Sequence, residues 1–422
     1  MFISIPAIDT AVEQHIAAGQ YNEALANIVV GVHNHYLLPE VDHRFLYYPI
    51  FDRHIQRLAD ILLAQAPAPA AAQPGDSTLI VTTLMSQVGG HSRVIEDVMA
   101  EVAAPVLVLT DLFWFYRKDP DQLNWLFDAH PDTPVIVLPQ RSIWDKCRAL
   151  HALTLRLQPR NILYFHNHQD PIPFVGTIGH PGSRKTLVHH CDHNPSLGNT
   201  LAAVDHADLT EEMAGPCARH LGKQVQVLPL SMPDGGRKAF APCQGNDFSV
   251  VTSGTEAKFT RSGEMALQNV VATTLGCVGG RFYHIGPLAE DWAAEIKAHL
   301  ARQQIDPARF VPLGPVESLW QTLLGLDAQL YIGSAPVGGG RASIEAQGCG
   351  YPVVYFIKDP GAVLALYSLY ASKELGWSNL AELQAALQDV GPRLPRLSDE
   401  ARALYDRHFS RECFRRGLQA IT

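Results

Sequence analysis

From Ser77 onward the chain repeats one pattern: a short unbroken apolar run, a loop, then a stretch with helical spacing. TLIVT (78–82), VLVL (106–109), VIVL (135–138), ILYF (162–165), TLVHH (186–190) and VQVLP (225–229) follow one another in this way. These runs lack the alternation of a half-exposed strand, so both of their faces must be covered. Strands covered on both faces and joined by helices form a parallel sheet, whose ligands bind at the carboxyl ends of the strands. A Pro/Gly-rich stretch, PLSMPDGGRKAFAP (229–242), interrupts the pattern and reads as a domain hinge. The pattern then resumes, with strands expected at 247–252, 281–285, 310–313, 328–332 and 352–356 and helices at 289–302 and 316–324.

The densest chemistry lies in YIGSAPVGGGRASIEAQGCGYPVVYF (331–356). Here a buried strand leads into three consecutive glycines, Gly338, Gly339 and Gly340, and then a short helix. Glycines leave the backbone bare where a helix begins, so its amides and its positive end can face an anion. Arg341 and Glu345 fall on one helical face, one turn apart, with Ser343 between them. Arg341 could neutralise a phosphate, and Glu345 could accept hydrogen bonds from sugar hydroxyls. The alternative is a loop that uses glycine only for its turns.

The stretch 338–353, ending in Gly350-Tyr351-Pro352-Val353, resembles the nucleotide-sugar site of GT-B glycosyltransferases. In that family a glycine-rich turn leads into an acidic helix and a G-x-P-V strand. The preceding β-α-β stretch (310–334) is similar to the family's as well. The resemblance extends over the last 170 residues or so and, more loosely, over the domain before them. Val337 stands where many retaining members carry a second glutamate. The pattern is therefore nearer to O-linked N-acetylglucosamine transferase-like and bacterial protein glucosyltransferases, and inversion is favoured. The resemblance implies an α/β GT-B fold of two facing Rossmann-like domains. It also implies that Ser253 and Lys258, after the first strand of the second domain, hold a donor diphosphate, with Arg261 and Arg281 weaker candidates. A terminal amphipathic helix (400–418) would cross back to the first domain.

Three loops follow strands of the first domain. Gln87-Val88-Gly89-Gly90-His91-Ser92-Arg93 resembles the glycine-rich loop after the first GT-B strand, with Gly89 and Gly90 lying against donor or acceptor. His91 then falls at the head of a helix, whose positive end disfavours an imidazolium and keeps a neutral base. His166-Asn167-His168-Gln169-Asp170-Pro171 approaches a hydrolase metal motif, but proline replaces its last histidine. HHCDHNPSLG (189–198) resembles an acidic-histidine loop of some bacterial GT-B transferases. There Asp192 could act as base or orient His193, the rival reading being a hydrogen-bonded corner.

The first 65 residues read as helices, either a cap on the domain behind them or, from AAGQYNEALANI, one unit of a tetratricopeptide-type acceptor platform. The expected order is a helical extension (1–65), an Ala/Pro linker (66–76), an acceptor-side domain (77–230), a hinge (231–246), a nucleotide-sugar domain (247–395) and a C-terminal helix (396–422).

Composition narrows the classes. The content of 47% hydrophobic and 18% charged residues is that of a globular enzyme, and no apolar run approaches the ~20 residues of a membrane span. A net charge of −9 without a basic stripe argues against nucleic acid. Seven scattered cysteines without a C-x-x-C pair, and a leading stretch without a basic region, point to reduced thiols in a cytoplasm. The expected reaction is metal-independent transfer from a nucleotide-sugar, a UDP-sugar favoured, to a hydroxyl or amide of a protein or glycan, with no resident cofactor. The alternatives are a sugar-nucleotide epimerase, a non-catalytic nucleotide-sugar or protein-binding module and, further off, a metal-dependent hydrolase.

Overall fold

The computed structural model describes residues 4–36, 47–65, 75–87, 89–190, 196–243, 245–357 and 369–422. Most of the Ala/Pro linker, together with Asp192 and His193, lies outside them. The chain forms two compact units, Met1–Leu228 with Arg415–Thr422, and Pro229–Phe414.

The first unit holds a parallel sheet of seven strands: β1 (Thr78–Thr82), β2 (Pro105–Leu109), β3 (Val135–Val137), β4 (Asn161–Phe165), β5 (Arg184–His189), β6 (Asp205–Asp208) and β7 (Val225–Val227). Their order is β3-β2-β1-β4-β5-β6-β7. The direction of winding reverses between β1 and β4, and Thr82 lies level with Phe165 there. Such a reversal opens a crevice at the carboxyl ends of the two strands. Local signals place the helices that cover the sheet. Ser142 accepts the Asp145 amide at 3.0 Å to start the helix Ile143–Leu157, and Thr210 caps the helix Glu211–Leu221, which stops at Gly222 with φ 62°.

Strand β6 is the element that apolar runs did not reveal. Its sequence, DHAD, is polar, yet His206, Ala207 and Asp208 are buried. The three leading helices, Ile5–Ala17, Tyr21–Tyr36 and Pro49–Gln65, turn Ile8, Val12, Leu25, Ile28, Phe51, Ile55 and Leu58 into the same core as Leu79, Val81, Ile162 and Tyr164. Asp52 from the third helix accepts the Gly198 amide at 2.6 Å, the Thr200 amide at 2.9 Å and the Thr200 hydroxyl at 2.6 Å. These helices are a layer of the first unit, in keeping with a cap.

The second unit holds β8 (Val250–Ser253), β9 (Phe282–Ile285), β10 (Phe310–Gly314), β11 (Leu330–Ile332), β12 (Val353–Phe356) and β13 (Gly376–Trp377), in the order β10-β9-β8-β11-β12-β13. The reversal falls between β8 and β11. The stretch expected as a hinge is strapped along this unit. Lys238 N donates to Cys349 O at 2.9 Å, Trp320 Nε1 donates to Gly236 O at 2.9 Å, and Phe240 is buried against Tyr351.

The expected single C-terminal helix is instead two, Leu394–Leu404 and Arg411–Ile421, with a π turn at Tyr405–Phe409 and extended Ser410 between them. Tyr405 and Phe409 belong to the second unit's core, whereas Ala420 O and Ile421 O accept from Arg184 and Thr186 of the first unit's sheet. A helix continued straight through Ser410 would keep one face throughout. The break lets each half bury its own. Among the described residues no helix is long and apolar enough to cross a membrane.

Candidate active site

In the first unit, the loops after β1 and β4 flank the reversal. Gly89 has φ 151°, strained for any other residue, and a Cβ there would touch nothing within 4 Å. Gly89 and Gly90 are exposed, so this entry to the helix Gly90–Met99 leaves its backbone open to a ligand.

His91 follows directly. Its Nε2 lies 3.1 Å from Thr82 Oγ1, and that hydroxyl donates to Phe165 O at 2.8 Å. With the hydroxyl proton committed to a carbonyl, the hydrogen-bond network assigns the ring proton to Nε2 and the lone pair to Nδ1. Nδ1 is buried and has no hydrogen-bond partner. Burial above all, then the nearby His190 and His166, hold His91 well below the usual histidine range. The result is a neutral imidazole, which is the protonation state a general base requires.

The second loop puts its acid to structural use. Asp170 accepts the hydroxyls of Thr83, at 2.7 Å, and of Thr110, and its other oxygen accepts the Ile172 amide at 2.9 Å. Those bonds, in a fully buried position, tie β1, β2 and the turn after β4 together. His166 turns Nε2 toward Leu197 O at 3.2 Å and sets its ring edge-on to Phe174.

In the second unit, the turns after β8 and β11 meet across the reversal. The Lys258 ammonium donates to Gly338 O at 2.9 Å, and Lys258 O accepts the Val337 amide at 3.2 Å. Burial lowers the Lys258 pKa from its usual value, and two of its three N–H groups are left for another acceptor. No positive φ occurs at Gly338, Gly339 or Gly340, and a Cβ on Gly338 would meet nothing within 4 Å. The glycines therefore serve access to the backbone more than a turn shape.

Arg341 opens the helix Gly340–Gly348, with Glu345 one turn on. Burial pushes Glu345 up to about 7 against the opposing pull of the Arg341 charge. Ser253, expected to hold the diphosphate, and Ser343, expected at the nucleotide-sugar site, both need correction. The Ser253 hydroxyl is buried on Tyr331 OH at 2.6 Å. Ser343 is buried beside Tyr370, and its amide already bonds Gly339 O at 2.9 Å. Both face the core because strand and helix periodicity turn them away from the loop surface. Arg261 is likewise engaged, pairing with Asp291 at 2.7 Å over the ring of Trp292.

Two features escaped sequence reasoning. His284, inside apolar β9, is wholly buried with neither ring nitrogen hydrogen-bonded, and burial lowers its pKa to about 4. A histidine within FYHI was the available signal. Phe113, Trp114 and Phe115 stand exposed just past β2, where the unbroken aromatic run could have been read as a surface.

Two parallel sheets of this winding make up the α/β fold seen in GT-B glycosyltransferases. Solved structures carry the comparison. The lipopolysaccharide outer core galactosyltransferase WaaB superposes with a TM-score of 0.60 at 12% identity, over 82% of this chain and 98% of that one. Anabaena HepE in complex with UDP and glucose gives 0.55 at 14%, over 82% and 99%. A mutant of the O-GlcNAc transferase of Thermobaculum terrenum gives 0.50 at 16%, over 99% and 85%. No protein-family model and no curated protein matches the chain.

Proposed function

We propose that this chain transfers a sugar from a nucleotide-sugar, a UDP-sugar first, to a hydroxyl or amide of a protein or glycan, without a divalent cation and with inversion. The observation that carries the reading is the paired turn of the second unit. There Lys258 is bonded to the carbonyl of Gly338, beside uncovered glycine amides at a helix start, with Arg341 and Glu345 one turn apart. Cations and amides gathered in this way can hold a diphosphate and stabilise the charge that builds on it as the sugar departs. Glu345 would accept the nucleotide's ribose hydroxyls. UDP in the HepE structure, on the same fold, supports the choice of nucleotide.

His91 Nδ1 is assigned the acceptor's proton, taken as the acceptor's oxygen or nitrogen bonds the anomeric carbon. The bond from that carbon to the diphosphate breaks, and its electron pair leaves with the nucleotide. Attack opposite the leaving group inverts the anomeric centre.

The decisive experiment is calorimetric titration of the purified chain with UDP, GDP, dTDP, CMP and ADP sugars, with magnesium or with EDTA. The reading requires one nucleotide to bind equally in both conditions and Lys258→Ala to weaken it. Binding to none of them would remove it. Binding without donor turnover, toward any acceptor or water, would leave a non-catalytic nucleotide-sugar module.

A further inference from the structure

Strand β6 carries His206 and Asp208 two residues apart, so both point to one face of the sheet. Asp208 lies in register with His189, the last residue of β5, which places the three side chains together. The helix Glu211–Leu221 supplies Cys217. All four residues are buried, with exposures between 0 and 2%. Their nitrogen, oxygen and sulfur atoms lie within 4.8 Å of one another.

We infer that His189, His206, Asp208 and Cys217 form a closed transition-metal site that takes zinc. His189 Nδ1 lies 3.1 Å from Asp208 Oδ1 and 3.8 Å from Cys217 Sγ, and His206 Nε2 lies 3.4 Å from Asp208 Oδ2. A tetrahedral zinc with bonds of about 2.0–2.3 Å has ligand–ligand edges of roughly 3.3–3.8 Å. The three pairs above are near those edges, and all the ligand atoms lie within 4.8 Å of one another.

The protein's own hydrogen bonds leave the cluster unfinished. Both nitrogens of His206, Nε2 of His189 and Oδ2 of Asp208 are buried without a properly directed partner. Desolvated polar atoms of this kind are costly, and a single cation would engage His206 Nε2 and Asp208 Oδ2 together with His189 Nδ1 and the Cys217 thiolate. A thiolate, two imidazoles and one carboxylate suit a borderline-soft ion, whereas calcium and magnesium demand oxygen ligands. The Tyr47 hydroxyl, buried beside Cys217 and also without a partner, has a proton to give the thiolate.

With four protein ligands and no exposed face, the ion would be structural and would not activate water. It would clamp β5, β6 and the following helix at the ligand-binding end of the first sheet. The residue after His189 is His190, whose ring stacks on His91 at 4.1 Å. The clamp therefore sets the backbone that supports the candidate base. The inference stands apart from the glycosyl-transfer reading and can fail or hold without it.

The test begins with metal analysis of the full chain purified without added metal, followed by chelator treatment and titration with cobalt(II) alone. One tightly held zinc per chain is expected. Cobalt should give intense tetrahedral ligand-field bands and a thiolate-to-cobalt charge-transfer band, both displaced by zinc. Cys217→Ser should abolish the charge-transfer band, while Cys277→Ser should retain it. Because Cys217→Ser could fail to fold, the wild-type cobalt spectrum is read independently. A folded wild-type chain that carries no metal and gives no cobalt spectrum overturns the site. A charge-transfer band that persists in folded Cys217→Ser overturns it too.

Discussion

His91 and His190 lie ring on ring, centroids 4.1 Å apart and planes 29° from parallel. Burial above all, and then the neighbouring His190, disfavours a charge on His91. As the base, His91 should therefore stay neutral through the neutral range. The acid limb attributable to it in a kcat/KM profile should fall well below the ordinary histidine value near 6.5. His91→Ala should cut turnover by about 100- to 10,000-fold and leave nucleotide affinity unchanged. An acid limb at 6.5 that vanishes in the variant would contradict the assigned environment.

The same shift enters folding. A histidine whose folded pKa lies below its unfolded value binds fewer protons when folded, so its contribution is lost as pH falls below about 6.5. Urea titrations of wild type and His91→Asn between pH 7.5 and 5 should diverge, with the wild type losing stability more steeply on acidification.

Glu345 carries the opposite sign. Its folded pKa, about 7, stands above the usual carboxyl value of 4.5, so the folded chain holds a proton that the unfolded chain has lost. Stability should decline as pH rises through that window and level off above it. Glu345→Gln should stabilise the chain by on the order of 2 kcal/mol at pH 8 and by almost nothing at pH 4, as measured by denaturant unfolding. The same variant should bind the nucleotide less well. In the wild type, nucleotide affinity should rise with pH through 7, because the ionised carboxylate is the better acceptor of two hydroxyls. A pH-independent affinity would remove Glu345 from the ribose.

Lys258→Ala removes a charged hydrogen-bond donor worth about 1.5–3 kcal/mol, roughly a ten- to hundredfold loss for a diphosphate ligand. Uridine, which lacks the phosphates, should bind wild type and variant alike. Equal losses for UDP and uridine in calorimetry would mean that the lysine only braces the Gly338 turn.

Gly338 and Gly348 separate binding from folding. A Cβ on Gly338 meets nothing within 4 Å, so Gly338→Ala should leave the melting temperature in place and weaken nucleotide binding. A Cβ on Gly348 would come within 2.1 Å of the Trp320 ring. Gly348→Ala should destabilise by about 1–3 kcal/mol.

The alternation of short apolar runs disclosed both sheets, and the bare glycines disclosed the turn that follows β11. The polar strand DHAD stayed hidden because a short polar stretch reads as loop when the partners that bury it lie elsewhere in the chain. For the same reason His189, His206, Asp208 and Cys217 form no recognisable spacing, since register between β5 and β6 brings them together. The family resemblance places Ser253 on the diphosphate, and its position between Arg341 and Glu345 places Ser343 at the site. Which way a hydroxyl points depends on the register of its strand or helix, and here each is turned to a tyrosine. Glu345 and Arg341 could be paired on one helical face from spacing alone, but the burial that raises the Glu345 pKa required the packed second unit. The break at Ser410 carries neither proline nor glycine, so nothing in the amphipathic pattern marked it.

The anchoring of the loop 198–200 by Asp52 bears on how such a protein could be recombined. The leading helices supply both apolar mass and a buried acid to the first sheet, so the portion that could be transplanted as a working half begins at the amino end of the chain rather than at β1. A chimera joined near residue 77 would inherit a sheet with one side stripped and a loop without its counterpart. A chimera that takes the three helices along would keep both.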